Sequence, residues 1–141
     1  MAVKALKVQL VPPLPDAGAQ ILGHAGPLAG VRALLSARDV EVLCALIRSG
    51  CRAVTCLKPG SKADRSDYDL VLISDTGASP DDAIRLAHQA LAPTGRIVLG
   101  VAAHKALALT RRLRLNGFRT IRTTALPGLA VVQADGPGRA A

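Results

Sequence analysis

The sequence predicts an α/β protein built on an open, mostly parallel sheet that ends in a C-terminal antiparallel hairpin. Three observations predict it. Short runs rich in Val, Ile and Leu alternate with helical stretches between residues 31 and 117, which implies parallel strands joined by right-handed crossovers. YDLVLIS, residues 68–74, is apolar nearly throughout, as in a strand covered on both faces. FRTIRTT, LPG and LAVVQAD then read as strand, turn and strand.

Each element has its own local reason. In KALKVQL, residues 4–10, Leu6, Val8 and Leu10 alternate with Lys7 and Gln9, the period of a half-buried edge strand, and VPPLP stops it. Residues 16–30, rich in Gly and Ala, predict a loose helix or a loop. VRALL, 31–35, is a buried strand, after which Ser36 caps a helix with Asp39 at the third position. Val40, Leu43, Cys44 and Ile47 give that helix an apolar face, and Gly50 closes it. RAVTCL, 52–57, is the next strand, and KPGSKADRSD is polar loop. The central strand 68–74 leads to SPDDAIRLAHQAL. There Ser79 caps, Pro80 takes the first helical position, and Asp81 and Asp82 meet the positive end of the helix dipole. PTG turns the chain into the strand RIVLGVA. KALALTRRLRLNG follows as a helix with Leu109 and Leu113 inward and Gly117 at its end. The expected organisation is one domain over residues 1–135 and a mobile tail at 136–141.

With 141 residues, half of them hydrophobic, the chain has material for one core. Tyr68 and Phe118 are its only aromatics, so the core is aliphatic. Two rings also disfavour the base-stacking mode by which proteins grip single-stranded nucleic acid. A formal charge of +8 suits an anionic partner: nucleic acid, an acidic lipid surface or an acidic protein patch. No run of 18 apolar residues predicts a membrane span, and Lys4 and Lys7 interrupt any leader, so a cytoplasmic location is expected. Cys44, Cys51 and Cys56 match neither a disulfide framework nor a zinc pattern and are expected to be small buried hydrophobes. His24, His88 and His104 lie in separate segments without ligand spacing, and no metal is expected.

Three stretches in the second half carry a family resemblance. ADRSDYDLVLIS places an acid, then Tyr and Asp, before a central strand. LAHQALAPTGRIVLG has the form of a helix and an L-x-P-G-G-x-(L/I)-V turn, with Thr94 at the first turn glycine. LRLNGFRTIRTTALPGLAVVQAD ends a helix at GF and finishes in a hairpin. In this order residues 31–135 resemble the class I SAM-dependent methyltransferase family. A phospho-acceptor receiver domain fits less well: Ser36, Ala37 and Arg38 follow the first strand with only one acid, and receivers lack the terminal hairpin.

The resemblance implies a three-layer Rossmann-like methyltransferase fold, reduced in size because about ten residues stand where the family places its third strand and flanking helix. The strand at 4–10 is hypothesised to take the vacant edge. It also implies where S-adenosylmethionine (SAM) would lie. The family's glycine-rich loop, which lets backbone approach the cofactor, is replaced by Ser36, Ala37 and Arg38. Its ribose-binding acid at the end of the second strand is replaced by Leu57 and Lys58, and lysine cannot accept a hydroxyl's hydrogen bond. Asp64 corresponds to the adenine contact. Ser74 and Asp75 stand at the carboxyl end of the central strand, with Asp75 placed to act as a base or hold a substrate amine. Backbone N–H groups at the Ser36 helix start are a further anion site.

Two functions follow. The first is a methyltransferase-like pseudoenzyme, impaired in SAM binding, that serves as a binding or assembly module for an acidic protein or nucleic acid. Arg111 and Arg114, three apart on one helix face, are its candidate contacts. Arg119 and Arg122 have opposite parity on the next strand and are expected to point apart. The second function is an active SAM-dependent methyltransferase with a divergent cofactor loop. A structural subunit that pairs through its sheet edge with another chain or a second copy is the remaining class.

Overall fold

The computed structural model describes residues 22–36, 40–58, 62–73 and 80–137. Within them the chain runs β1 (Arg32–Leu35), α1 (Val40–Arg48), β2 (Ala53–Cys56), β3 (Tyr68–Ile73), α2 (Pro80–Ala90) and β4 (Leu91–Ala102). A 3-10 turn (Ala103–Lys105), α3 (Ala106–Leu115), β5 (Arg119–Leu126) and β6 (Leu129–Asp135) complete it. The described strands form one sheet in the order β2-β1-β3-β4-β6-β5. β2, β1, β3 and β4 are parallel, whereas β6 pairs antiparallel with both β4 and β5. The strand predicted at 4–10 and residues 138–141 of the tail predicted at 136–141 fall outside the described residues, among which β2 has no outer neighbour.

Two apolar layers sandwich the sheet. On one face Val42 and Leu46 of α1, with Ala25, pack on Ala33, Leu35, Leu70, Leu72, Val98 and Val131. On the other, Ile84 and Ala87 of α2 and Leu109 and Leu113 of α3 cover Leu34, Val71, Ile97, Leu99 and Val132. This is the expected three-layer α/β arrangement. The crossover from β2 to β3 contains no helix among its described residues; Leu57 and Ala63 pack there on the α2/α3 face.

The structure corrects several local expectations. The inward face of α1 is Val42 and Leu46, with Leu43 partly buried beside them as expected, while Ile47 is 58% exposed and Cys44 is exposed. VEVLCALI is apolar almost all the way round, so its sequence specifies a helix but not which side turns inward. The cysteines are not buried hydrophobes: Cys44 and Cys56 are exposed and Cys51 is intermediate. Partial burial still pushes the Cys51 and Cys56 thiols up. β4 begins at Leu91, before the PTG turn. Tyr68 pairs with Leu91 and Leu70 with Arg96, so the turn is an irregularity within the strand's length.

A second irregularity changes which side chains meet. Arg119 pairs with Asp135 and Arg122 with Gln133, so three steps along β5 match two along β6. The surplus residue is a bulge, and Thr120 there has φ +54°, unusual for a β-branched side chain. Opposed residues share a face and Gln133 and Asp135 are two apart, so Arg119 and Arg122 lie on the same face. The opposite-parity expectation holds only for an unbulged strand.

Candidate functional site: the carboxyl edge of the parallel strands

In a parallel α/β sheet the carboxyl ends of the strands open a crevice where the order of connection reverses. Here that reversal lies between β1 and β3, since β1 leads outward to β2 and the chain then returns to β3. The register brings two expected residues to this edge. The Ser36 N–H donates to the Leu72 carbonyl at 3.0 Å, and the Leu57 N–H donates to the Leu35 carbonyl at 2.8 Å. Ser36 therefore stands just past β1, and Lys58 one residue beyond the last rung of β2. Ser36 is 8% exposed, the buried polar residue of the core, whereas Lys58 is exposed. Ala37, Arg38, Ser74 and Asp75 lie outside the described residues.

Asp64 lies on the β2-to-β3 crossover and is exposed. One of its carboxylate oxygens accepts the Tyr68 hydroxyl at 2.8 Å. That bond ties the crossover to the buried tyrosine at the start of β3. Nearby, the Arg32 guanidinium donates to Asp67 at 2.7 Å and the Arg32 main-chain N–H to Asp69 at 3.0 Å. Arg65 donates to Asp67 at 2.8 Å and holds its carboxyl below the usual range. These bonds fasten the amino ends of β1 and β3 together.

Burial pushes the Tyr68 phenol up; a hydrogen bond with Thr55 opposes the shift and the bond to Asp64 adds to it. The folded state thus holds this proton more tightly than the unfolded chain. Its contribution to stability is complete below about pH 10 and is lost as pH climbs through the raised folded value. Tyr68→Phe is expected to cost about 1 kcal/mol at neutral pH through the lost hydrogen bond. It is also expected to flatten the alkaline fall in denaturant midpoint. Tyrosinate absorbance reads the group directly, because Tyr68 is the only tyrosine in the sequence.

Arg111 and Arg114 are both exposed on α3. Among the described residues no carboxylate pairs with either, while Arg112 between them pairs with Asp81. Sequence reasoning missed their apolar neighbours: Leu107 is 65% and Leu115 85% exposed. At 100° per residue Leu107, Arg111, Arg114 and Leu115 fall within one outward stripe roughly 100° wide. Leu109 and Leu113 face the core as expected. Among the described residues no group of three His, Cys, Asp or Glu side chains could hold a metal ion. No helix among them is long and apolar enough to cross a membrane.

The strand order, the helices on both faces and the terminal antiparallel hairpin together define a class I methyltransferase-like fold. Solved structures of that class superpose on it. A SAM-dependent methyltransferase from Aquifex aeolicus matches with TM-score 0.70 and 12% identity over 93% of this chain and 97% of the other. A SAM-dependent O-methyltransferase from Thermotoga maritima matches with TM-score 0.69 and 12% identity, covering 98% of this chain and 71% of its own. A 16S rRNA methyltransferase of T. thermophilus, in complex with AdoMet and guanosine, matches with TM-score 0.60 and 17% identity over 84% of this chain and 38% of its own. No protein-family model matches the chain, and no curated protein matches it in sequence.

Proposed function

We propose that this chain is a methyltransferase-like domain with an impaired SAM site that works as a non-catalytic binding or assembly module for an acidic partner. The observation that carries the reading is the donor set at the crevice. Lys58 stands at the carboxyl end of β2 and presents only donors where ribose hydroxyls need an acceptor. At the neighbouring strand end Ser36 is buried, with its N–H engaged by Leu72. These residues do not fit the cofactor. The partner surface is the outward stripe of α3, where Arg111 and Arg114 offer charge and Leu107 and Leu115 offer apolar contact.

Restoring the missing acceptor tests the reading. Lys58→Asp is expected to gain calorimetric affinity for S-adenosylhomocysteine over the wild type, by about tenfold if one charge-assisted bond of roughly 1.5 kcal/mol is made. Equal affinities would remove Lys58 as the cause of impairment. The second reading, an active enzyme with a divergent loop, is supported by the SAM-dependent methyltransferases that share the fold. Under it Asp64→Ala and Asp75→Ala abolish methyl transfer and leave the chain folded.

A further inference from the structure

The face of β4, β6 and β5 opposite α3 carries a groove of about 240 Å³. His24, Arg96, Thr120, Arg122, Gln133 and Asp135 supply its polar lining. It lies far from the crevice. Arg96 pairs with Asp135 at one end of the β4–β6 ladder and Ala102 with Leu129 at the other, roughly 20 Å along the strand. A ligand here would not touch Ser36 or Lys58.

The cations around this groove are placed by the backbone. Arg96 donates from Nε to the Ala25 carbonyl at 2.7 Å and from one terminal nitrogen to the Pro27 carbonyl at 2.5 Å. Gly26, between those carbonyls, has φ +77°, and its α-carbon faces the guanidinium. The guanidinium is therefore held in place by carbonyls, which bring no countercharge. The Thr120 bulge then turns Arg119 onto the same face as Arg122. Both are exposed, and among the described residues no carboxylate pairs with either, although Asp135 lies directly across from Arg119. A strained φ at a β-branched residue thus aligns the two arginines at a local cost.

The spread of these charges indicates the ligand. Arg96 and Arg119 are separated by two strand spacings, roughly 10 Å, and Arg119 and Arg122 by roughly 7 Å along the sheet. One phosphate cannot span them, whereas a chain of phosphates can. The groove offers no Phe, Tyr or Trp for stacking, and its mouth lacks the exposed leucines found on α3. Contact with a phosphodiester backbone needs neither.

We propose that this β-face is a docking surface for the backbone of double-stranded nucleic acid, read without base specificity, with Arg119, Arg122 and Arg96 as its phosphate contacts. It goes beyond the function proposed above, and it holds whether or not the crevice takes SAM. The test is fluorescence anisotropy of the full chain with a labelled DNA duplex of about 20 base pairs across a salt series. Arg119→Glu/Arg122→Glu is expected to weaken binding about tenfold or more and to lower the salt slope by about 2. Lys62→Glu/Arg85→Glu, an equal change of charge on exposed residues of the opposite, α2-covered side, is expected to have a much smaller effect. Deleting Thr120 leaves the charge untouched and places Arg119 and Arg122 two apart on an unbulged strand, still on one face, so it is expected to preserve duplex binding, with circular dichroism confirming the fold. Equal loss in the two charge-reversal pairs would overturn the proposal, as would duplex binding that is absent. Tighter binding of a polyglutamate chain than of the duplex would also overturn it, by assigning the face to an acidic protein.

Discussion

Leu72→Ala is expected to lower the free energy of unfolding by about 3–4 kcal/mol, within the range for large-to-small changes in a close-packed core. Leu72 is fully buried in β3, between β1 and β4, and packs beneath α1 with Leu35, Leu70 and Val98. Removing its side chain leaves a cavity in the layer that holds α1 on the sheet. The main-chain carbonyl that accepts from Ser36 is unaffected by the substitution, so the strand ends keep their hydrogen bond. Urea unfolding reads the effect as a lower midpoint at an unchanged slope. A loss below about 1 kcal/mol would mean that this layer is loosely packed.

Gly95→Ala is expected to cost about 2–3 kcal/mol, the scale of overpacking in a tight site. Gly95 is the last residue of the PTG turn, just before β4 recovers its register at Arg96, and its carbonyl accepts the Gly136 N–H at 2.8 Å. A Cβ added there would stand 2.7 Å from Leu91 Cδ2 and 2.8 Å from the Tyr68 carbonyl. The leucine can rotate away, but the carbonyl belongs to β3 and cannot. Relief therefore requires β4 to move from β3, which weakens the central parallel pair. The same urea series checks it, and near-neutral behaviour would show that the turn yields locally.

How far the sequence disclosed this structure depended on whether a local signal had competition. The start of α2 was legible because proline and two aspartates occupy positions that suit only a helix N-terminus, and Pro80–Ala90 is helical. β3 was legible because an apolar run of that length suits a strand covered on both faces, and Tyr68–Ile73 lies inside the sheet. The facing of α1 was not, because seven of eight residues in VEVLCALI are apolar and any side could turn inward. Nor was the β5 bulge: FRTIRTT contains neither the Gly nor the Asn that usually marks a positive φ. Its consequence for Arg119 and Arg122 is visible only in the pairing with β6.

The site was legible in part for the same reason. Strand ends follow from strand positions, so Ser36 and Lys58 were placed correctly at the carboxyl edge. Asp64 was expected to contact a ligand; the hydroxyl of Tyr68, four residues on, engages one of its oxygens. Such a pairing depends on how the crossover folds back over β3, which no short-range pattern encodes. The amphipathic character of the outer α3 stripe was hidden because Leu107 and Leu115 resemble core leucines until Leu109 and Leu113 are seen to fill that role.

Calorimetric titration of the folded wild-type chain with SAM tests the impairment of the crevice most directly. Run at low and at physiological salt, the titration is expected to show no saturable heat up to roughly millimolar ligand, with circular dichroism verifying the fold. Saturable binding in the micromolar range at both salt concentrations would contradict that impairment, since Ser36 and Lys58 would then be no obstacle to the cofactor.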